Sequence, residues 1–317
     1  MSESQYTIAA IVPCYNEETA IEQVIRDLKS AVPGMQIYVY DNNSSDRTAE
    51  IAAAAGAIVR HEHRQGKGNV VRRAFADVEA DVYVLIDGDD TYDTRALPEM
   101  ISALMSGPYD HVLGCRIDDP SNSAYRPGHA QGNLMFNRIV GALFQDHVTD
   151  MLSGYRVFSR RFVKSFPALS RGFEIETELT VHSMALQVPQ HEVQVGFKDR
   201  PHGSESKLNT FRDGIRILWL IAKLFTHERP FTFYGIISLL AIIASVLFGV
   251  PVIVEFAQTG LVTRLPTAVL AAALATISFI ALAVGAIHSG VLKSRREMMR
   301  LLYLQHPAPT HTLQTSQ

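Results

Sequence analysis

Short apolar runs alternate with stretches of helical periodicity along the first part of the chain. Thr7 to Val12, unbroken apolar from Ile8 onward, reads as a buried strand. From Glu17 to Ala31 the apolar Ala20, Ile21, Val24, Ile25 and Leu28 recur at helical spacing. Met35 to Tyr40 predicts a second strand. Asp46 is placed to cap a helix that runs through Ala55 and stops at Gly56. Ala57 to Val59 predicts a short strand and Gly68 to Val78 a helix. Asp81 to Ile86 and His111 to Gly114 predict two more strands. Strand-helix alternation of this kind predicts an α/β fold, a mostly parallel sheet with helices on both faces. Ligands of such sheets bind beyond the carboxyl ends of the strands. The polar segments Tyr15–Glu18, Asp41–Asp46 and Asp87–Asp93 each follow a strand end, so they are expected to converge on one crevice.

The pattern changes towards the C-terminus. Tyr234 to Val254 and Leu265 to Ile287 contain no charged residue. A hydrocarbon core of about 30 Å needs about 20 helical residues, and both runs are that long. The competing reading is a pair of buried core helices. Lys223 and Arg229 precede the first run, and Lys293, Arg295, Arg296 and Arg300 follow the second. Only Arg264 is basic between them. The positive-inside rule then puts both ends in the cytoplasm and the Gln258–Thr263 loop outside. Before the first run, Phe211 to Phe225 can gather Ile215, Leu218, Trp219, Ala222 and Phe225 on one face. That suits an interfacial helix, or a packing helix of the soluble part. The expected organisation is a cytoplasmic domain over 1–208, an amphipathic helix over 209–230, a transmembrane hairpin over 231–292 and a cytoplasmic tail over 293–317.

Composition narrows the classes. The chain has 317 residues, 47% of them hydrophobic, and a formal net charge of −3, which gives no argument for a nucleic-acid partner. Two cysteines, Cys14 and Cys115, make no disulfide framework and suit a reducing compartment. The polar start, MSESQYT, has no signal-peptide character, and the chain is expected to begin in the cytoplasm.

Four motifs carry candidate chemistry. Asp87-Gly88-Asp89 ends a strand: two carboxylates at this spacing can hold a hard cation such as Mg²⁺ or Mn²⁺, which can bridge a diphosphate. Gly88 allows close approach to the backbone. Aspartates are also ordinary turn residues, so the alternative is a turn. Lys198 to Leu208 holds Arg200 and Lys207, a pair that can clamp phosphates or meet anionic lipid. Gly66-Lys67-Gly68 enters a helix and reads as a phosphate or base contact, or as a plain helix start; it is not a Walker A loop. His61-Glu62-His63 lacks a third ligand and is read as no metal site.

The segments IVPCYNEE (Ile11–Glu18), DNNSSDRT (Asp41–Thr48), GKG, DGDDTYD, GCR (Gly114–Arg116), MLSGYRVF (Met151–Phe158) and DRPHGSESKL occur in this order. Together they resemble family 2 glycosyltransferases with the GT-A (Rossmann-like) fold. The closest resemblance is to polyprenyl-phosphate glycosyltransferases, the group that includes dolichol-phosphate mannose synthase. It covers roughly Ile8 to Leu208.

The resemblance implies that Pro13, Tyr15 and Glu17 line a nucleotide pocket and that Asp41 meets the base or ribose. It places Asp87 near the nucleotide and Asp89 on the metal. Arg116 would face the acceptor phosphate, Ser153 and Arg156 would belong to the nucleotide site, and Arg200 and Lys207 would hold the diphosphate. The implied reaction is an inverting transfer from a UDP- or GDP-sugar to a polyprenyl phosphate, with a divalent metal, at the inner face of a cell membrane. A homo-oligomer is left open.

The sequence departs from the family pattern in several places. Asp90 and Thr91 stand where relatives often carry Leu-Gln, Asn42 replaces an aspartate, and Cys115 replaces a serine. Two rivals are weighed. One is a membrane-bound transferase acting on a saccharide or another lipid, although the Gln-x-x-Arg-Trp motif of polymer synthases is absent. The other is a non-catalytic nucleotide-sugar-binding scaffold.

Overall fold

A computed structural model describes residues 6–117, 149–198, 226 and 229–309. The expected interfacial helix lies almost wholly outside the described residues, as do Arg200 and Lys207. Seven strands form one sheet: β1 (Ile8–Cys14), β2 (Gln36–Asp41), β3 (Ile58–His61), β4 (Val82–Leu85), β5 (His111–Ile117), β6 (Arg156–Ser159) and β7 (Gln190–Gly196), in the order β3-β2-β1-β4-β6-β5-β7. All neighbours are parallel except β6, which runs antiparallel to both β4 and β5. The mostly parallel α/β sheet expected from the sequence is therefore present, with one reversed strand inside it.

Alternation along the strands explains the layers. In β1, Ala10, Val12 and Cys14 face one core while Ala9 and Ile11 face the other; Val82 and Val84 of β4 divide from Tyr83 and Leu85 in the same way. The first core is closed by α1 (Ile21–Ala31), α2 (Thr48–Ala54) and α4 (Leu97–Ser106) through Ile21, Val24, Ile25, Leu28, Ala52, Leu97 and Leu104. The second is closed by α3 (Lys67–Asp77), α5 (Arg160–Ser165) and α6 (Glu174–Leu186) through Val71, Phe75, Phe162, Ile175 and Leu179. Both faces of β1 and β4 are buried, which is why these strands read as continuous apolar runs.

The first helix starts later than its periodicity suggests. Asn16 has φ 56°, and the segment that follows turns before Ile21 instead of continuing a helix from Glu17. Asp46 does accept the Thr48 backbone N–H at 3.0 Å at the start of α2.

Two long helices follow, α7 (Pro230–Thr259) and α8 (Leu265–Leu304), and both are long and apolar enough to cross a membrane. The chain divides into two compact units, Met1–Thr210 with Met298–Gln317, and Phe211–Glu297. Within the second unit, Ser238 and Ser278 share a hydrogen bond of 2.9 Å, and Ser245 donates to the Ala271 carbonyl at 2.7 Å. Small residues at such contacts let apolar helices approach closely. Within the first unit, Tyr303 of α8 is buried in the second core, and its hydroxyl donates to Asp110 at 2.7 Å.

Candidate active site

The loops after β1, β2 and β3 are stitched together at the carboxyl edge of the sheet. Asn16 accepts from the Ser45 N–H at 2.8 Å, and Thr48 Oγ1 accepts from the Glu17 N–H at 2.8 Å. Asn42 explains its own departure from the family pattern. Its Nδ2 donates to the carbonyls of Glu62 and Arg64 at 2.8 and 2.9 Å, while its Oδ1 accepts the Gly66 N–H at 2.6 Å. A carboxylate could accept but not donate.

Cys14 reports the field in this crevice. Burial, and then the carboxylates of Glu17, Asp41, Asp87 and Asp89, push its thiol well above the ordinary range. Asp41, at the end of β2, stands opposite Cys14 in register, and the Asp87–Asp89 turn packs on its thiol through Gly88, so the ends of β1, β2 and β4 meet here. Gly88 is needed here for packing: a Cβ would stand 2.5 Å from Cys14 Sγ.

Asp41 is 5% exposed, and its Oδ1 is buried without a hydrogen-bond partner among the described residues. Its Oδ2 lies 3.3 Å from His61 Nδ1. Asp89 is buried and its Oδ1 accepts from Thr91 Oγ1 at 2.7 Å. Among the described residues no group of three or more His, Cys, Asp or Glu could hold a metal ion. Two hard carboxylates, Asp87 and Asp89, are nevertheless a donor set that fits Mg²⁺ or Mn²⁺ when a substrate's phosphates and water complete the shell.

Lys67 does not stand open at a helix N-terminus. Its ammonium is buried between two carboxylates, paired with Asp87 Oδ1 and with Glu176 Oε1 at 2.6 Å. Burial opposes the charge, but Asp87 and Glu176 outweigh it and hold the ammonium well above its ordinary pKa. The flanking glycines serve packing. A Cβ on Gly66 would collide with the Arg171 carbonyl and one on Gly68 with that of Ser170, and the Gly68 N–H donates to the Gly172 carbonyl at 3.1 Å. The N–H groups of Gly68 and Asn69, the donors a helix start offers to a phosphate, are given to the 170–172 loop.

Ser153 and Arg156 sit behind the crevice, each 0% exposed. Ser153 Oγ donates to the Gly114 carbonyl at 2.6 Å. Arg156 donates to the carbonyls of Ser153 and Met151 at 2.8 and 2.6 Å and to Thr180 Oγ1 at 2.8 Å. These bonds fix the loop that carries Gly154, where a Cβ would collide with Asp87 and lie 2.8 Å from Lys67 Nζ. Arg116, expected at the acceptor, forms a two-pronged pair with Asp150 at 2.7 Å for both bonds and lies over the Phe197 ring at 5.4 Å. Pro13, Tyr15 and Glu17 are half-buried along the end of β1 and its loop. Glu176 and Asp150 were missed from sequence. The acid spaced along Gly172-Phe173-Glu174-Ile175-Glu176 was the available signal for the first, and the aspartate just ahead of Met151 for the second.

A model of Glycosyl transferase family 2 matches residues 9–166. The chain is 52% identical over 124 residues to Protein RfbJ of Shigella flexneri, covering 39% of this chain and 96% of that one. It is 31% identical over 229 residues to a dolichyl-phosphate hexose transferase of Haloferax volcanii, covering 71% and 98% respectively. A crystal structure of glucosyl-3-phosphoglycerate synthase from Mycobacterium tuberculosis, in complex with Mn²⁺, uridine diphosphate and phosphoglyceric acid, superposes with a TM-score of 0.58. The match has 24% identity and covers 70% of this chain and 78% of that one. The fold is GT-A, and the chain belongs to glycosyl transferase family 2.

Proposed function

We propose that this glycosyltransferase moves a sugar, with inversion, from a nucleotide sugar to a polyprenyl phosphate at the cytoplasmic face of a cell membrane. The observation that carries the reading is that the acidic ends of β1, β2 and β4 meet: Asp41 stands opposite Cys14 in register, and Gly88, between Asp87 and Asp89, packs on the Cys14 thiol. An acidic crevice repels a bare diphosphate and accepts one that arrives with a divalent cation. Asp89, with Asp87, would hold that cation, which supplies charge for the leaving diphosphate. The unpartnered buried Asp41 Oδ1 suits a ribose hydroxyl or base N–H.

The acceptor reading draws support from the name of the Haloferax relative and from two helices long and apolar enough to cross a membrane. A phosphate acceptor is already anionic, with a second pKa of about 6, so it needs little help from a general base. Catalysis then rests on placing reactants and on charge. Arg116, oriented by Asp150, would meet the acceptor phosphate, and Arg200 with Lys207 would meet the diphosphate. An oxygen of the acceptor phosphate would form the new bond to the anomeric carbon as the bond to the nucleoside diphosphate breaks, and this single displacement would invert that centre.

The test incubates the full chain, in detergent, with polyprenyl phosphate and a panel of UDP- and GDP-sugars. A lipid heavier by one hexose unit, seen by mass, is the expected result. Sugar transferred only to an added saccharide or another lipid would establish the rival acceptor. Absence of transfer to any acceptor would point to the binding scaffold.

A further inference from the structure

We propose that Glu176 is a positioning residue for the nucleotide-facing Asp87, acting through the Lys67 ammonium. The proposal rests on the donor site described above. Three motifs far apart in sequence meet at this point: Gly66-Lys67-Gly68 at the start of α3, Asp87-Gly88-Asp89 after β4, and Glu176 in the first turn of α6. The Lys67 and Glu176 side chains are 6% and 9% exposed, while Asp87 is 27% exposed and so reaches the crevice. One cation lies between two carboxylates, and Glu176 takes up part of the ammonium's charge. Lys67 therefore holds Asp87 in place without cancelling the acidity that draws a cation–diphosphate pair.

The surroundings keep this arrangement from relaxing. Gly154 presses bare backbone against Asp87 and Lys67 from the other side. The 170–172 loop is bonded to the start of α3, which ties the segments carrying Glu176 and Lys67 to each other. A buried ion pair of this kind adds little net stability over an apolar replacement of the same volume. Its use lies in orientation, as it does for the outer partners of metal-site ligands.

Two variants approach Asp87 from opposite sides. Glu176→Gln keeps shape and hydrogen bonding but leaves Lys67 to neutralise Asp87. Gly154→Ala pushes Asp87 and Lys67 directly. The probes are Mn²⁺ with UDP and Mn²⁺ with GDP, titrated calorimetrically into the full chain. Whichever the wild type binds is then compared across variants, together with the KM of donor and of lipid phosphate and the thermal midpoint. Both variants are expected to weaken nucleotide binding about tenfold or more. Donor KM should rise in parallel and lipid KM should hold, at a midpoint near wild type for Glu176→Gln. Unchanged nucleotide binding in Glu176→Gln would overturn the proposal while leaving the donor site intact. Donor and lipid parameters that worsen together, in step with a lowered midpoint, would make Glu176 merely structural and also overturn it. A wild type that binds neither nucleotide overturns the donor site and this role together.

Discussion

Asp90 holds φ 54°, a left-handed conformation that Asp tolerates better than most residues, and its carboxylate lies 3.5 Å from Lys198 Nζ. Asp93 caps the 3-10 turn Thr94–Ala96 by accepting the Arg95 N–H at 3.0 Å. The crowded aspartates of Val84–Asp93 thus divide into a turn residue, a cap, and the Asp87–Asp89 pair proposed for the cation. Sequence displays a capping aspartate and an Asp-Gly-Asp spacing because both depend on neighbours within a few positions. It could not show Lys67 on Asp87, since those residues meet only through the sheet. Asp89→Asn removes the proposed cation-binding charge and is expected to lower turnover by about 10²–10³ with saturating donor and lipid; near wild-type turnover would remove Asp89 from the metal role. A second prediction concerns His111. Burial first, then Arg156 and His182, hold its pKa well below the ordinary 6.5, so the folded protein keeps it neutral. Between the folded pKa and about 6.5 the unfolded chain binds the extra proton, so stability rises with pH there and is lost as pH falls below about 6.5. The slope from one such group is at most about 1.4 kcal/mol per pH unit. Denaturant unfolding from pH 7.5 to 5 should show this loss, and His111→Gln should flatten it.

Helices and strands were readable where one face alone was buried or where an apolar run ended in turn residues, as in α1 and β1 to β4. Helix α6 escaped because Ile175, Glu176, Leu179, Thr180, Val181, Ser183 and Met184 are all buried, which leaves no polar stripe to mark a period. Strand β6 escaped because only Val157 and Phe158 of its residues are apolar and it starts at a charged residue, Arg156. Close contacts between elements are likewise invisible along the chain. Gly68→Ala would drive a methyl into the Ser170 carbonyl. A cost of about 1–3 kcal/mol is expected from the forced shift of the 170–172 loop, read as a lower unfolding midpoint. Just before β5, Asp110 is 0% exposed and accepts from Ser159 Oγ at 2.6 Å, from Arg161 at 2.5 Å and from the hydroxyl of Tyr303, near the end of α8, at 2.7 Å. The Arg161 guanidinium also lies 4.6 Å from the Tyr303 ring centroid. Tyr303→Phe keeps the ring and removes one hydrogen bond to a buried carboxylate. It is expected to cost about 1.5–3 kcal/mol, measured by denaturant unfolding of the soluble signal.

At the scale of the whole molecule, composition alone announced two apolar helices, because an uncharged run of about 20 residues is rare outside membranes. Their true extents were hidden. Helix α8 continues past the uncharged run through Lys293, Arg295, Arg296 and Arg300 to Leu304, since charged straight-chain residues propagate a helix as well as apolar ones do. Orientation is the property that charge can decide. Basic residues crowd the outer flanks of the hairpin, and the single basic residue between the helices, Arg264, is paired with Glu255 at 3.2 Å. The hairpin is therefore expected to place Gln258 outside and the GT-A unit in the cytoplasm. Cysteine labelling can read this directly, because the native Cys14 and Cys115 are 2% and 8% exposed and give little background. Gln258→Cys should react with a membrane-impermeant maleimide in intact spheroplasts, whereas Glu22→Cys, on the surface of α1, should react only after permeabilisation. The reverse pattern would place the acidic crevice away from cytoplasmic nucleotide sugars, and the proposed donor could then no longer reach Asp41, Asp87 and Asp89.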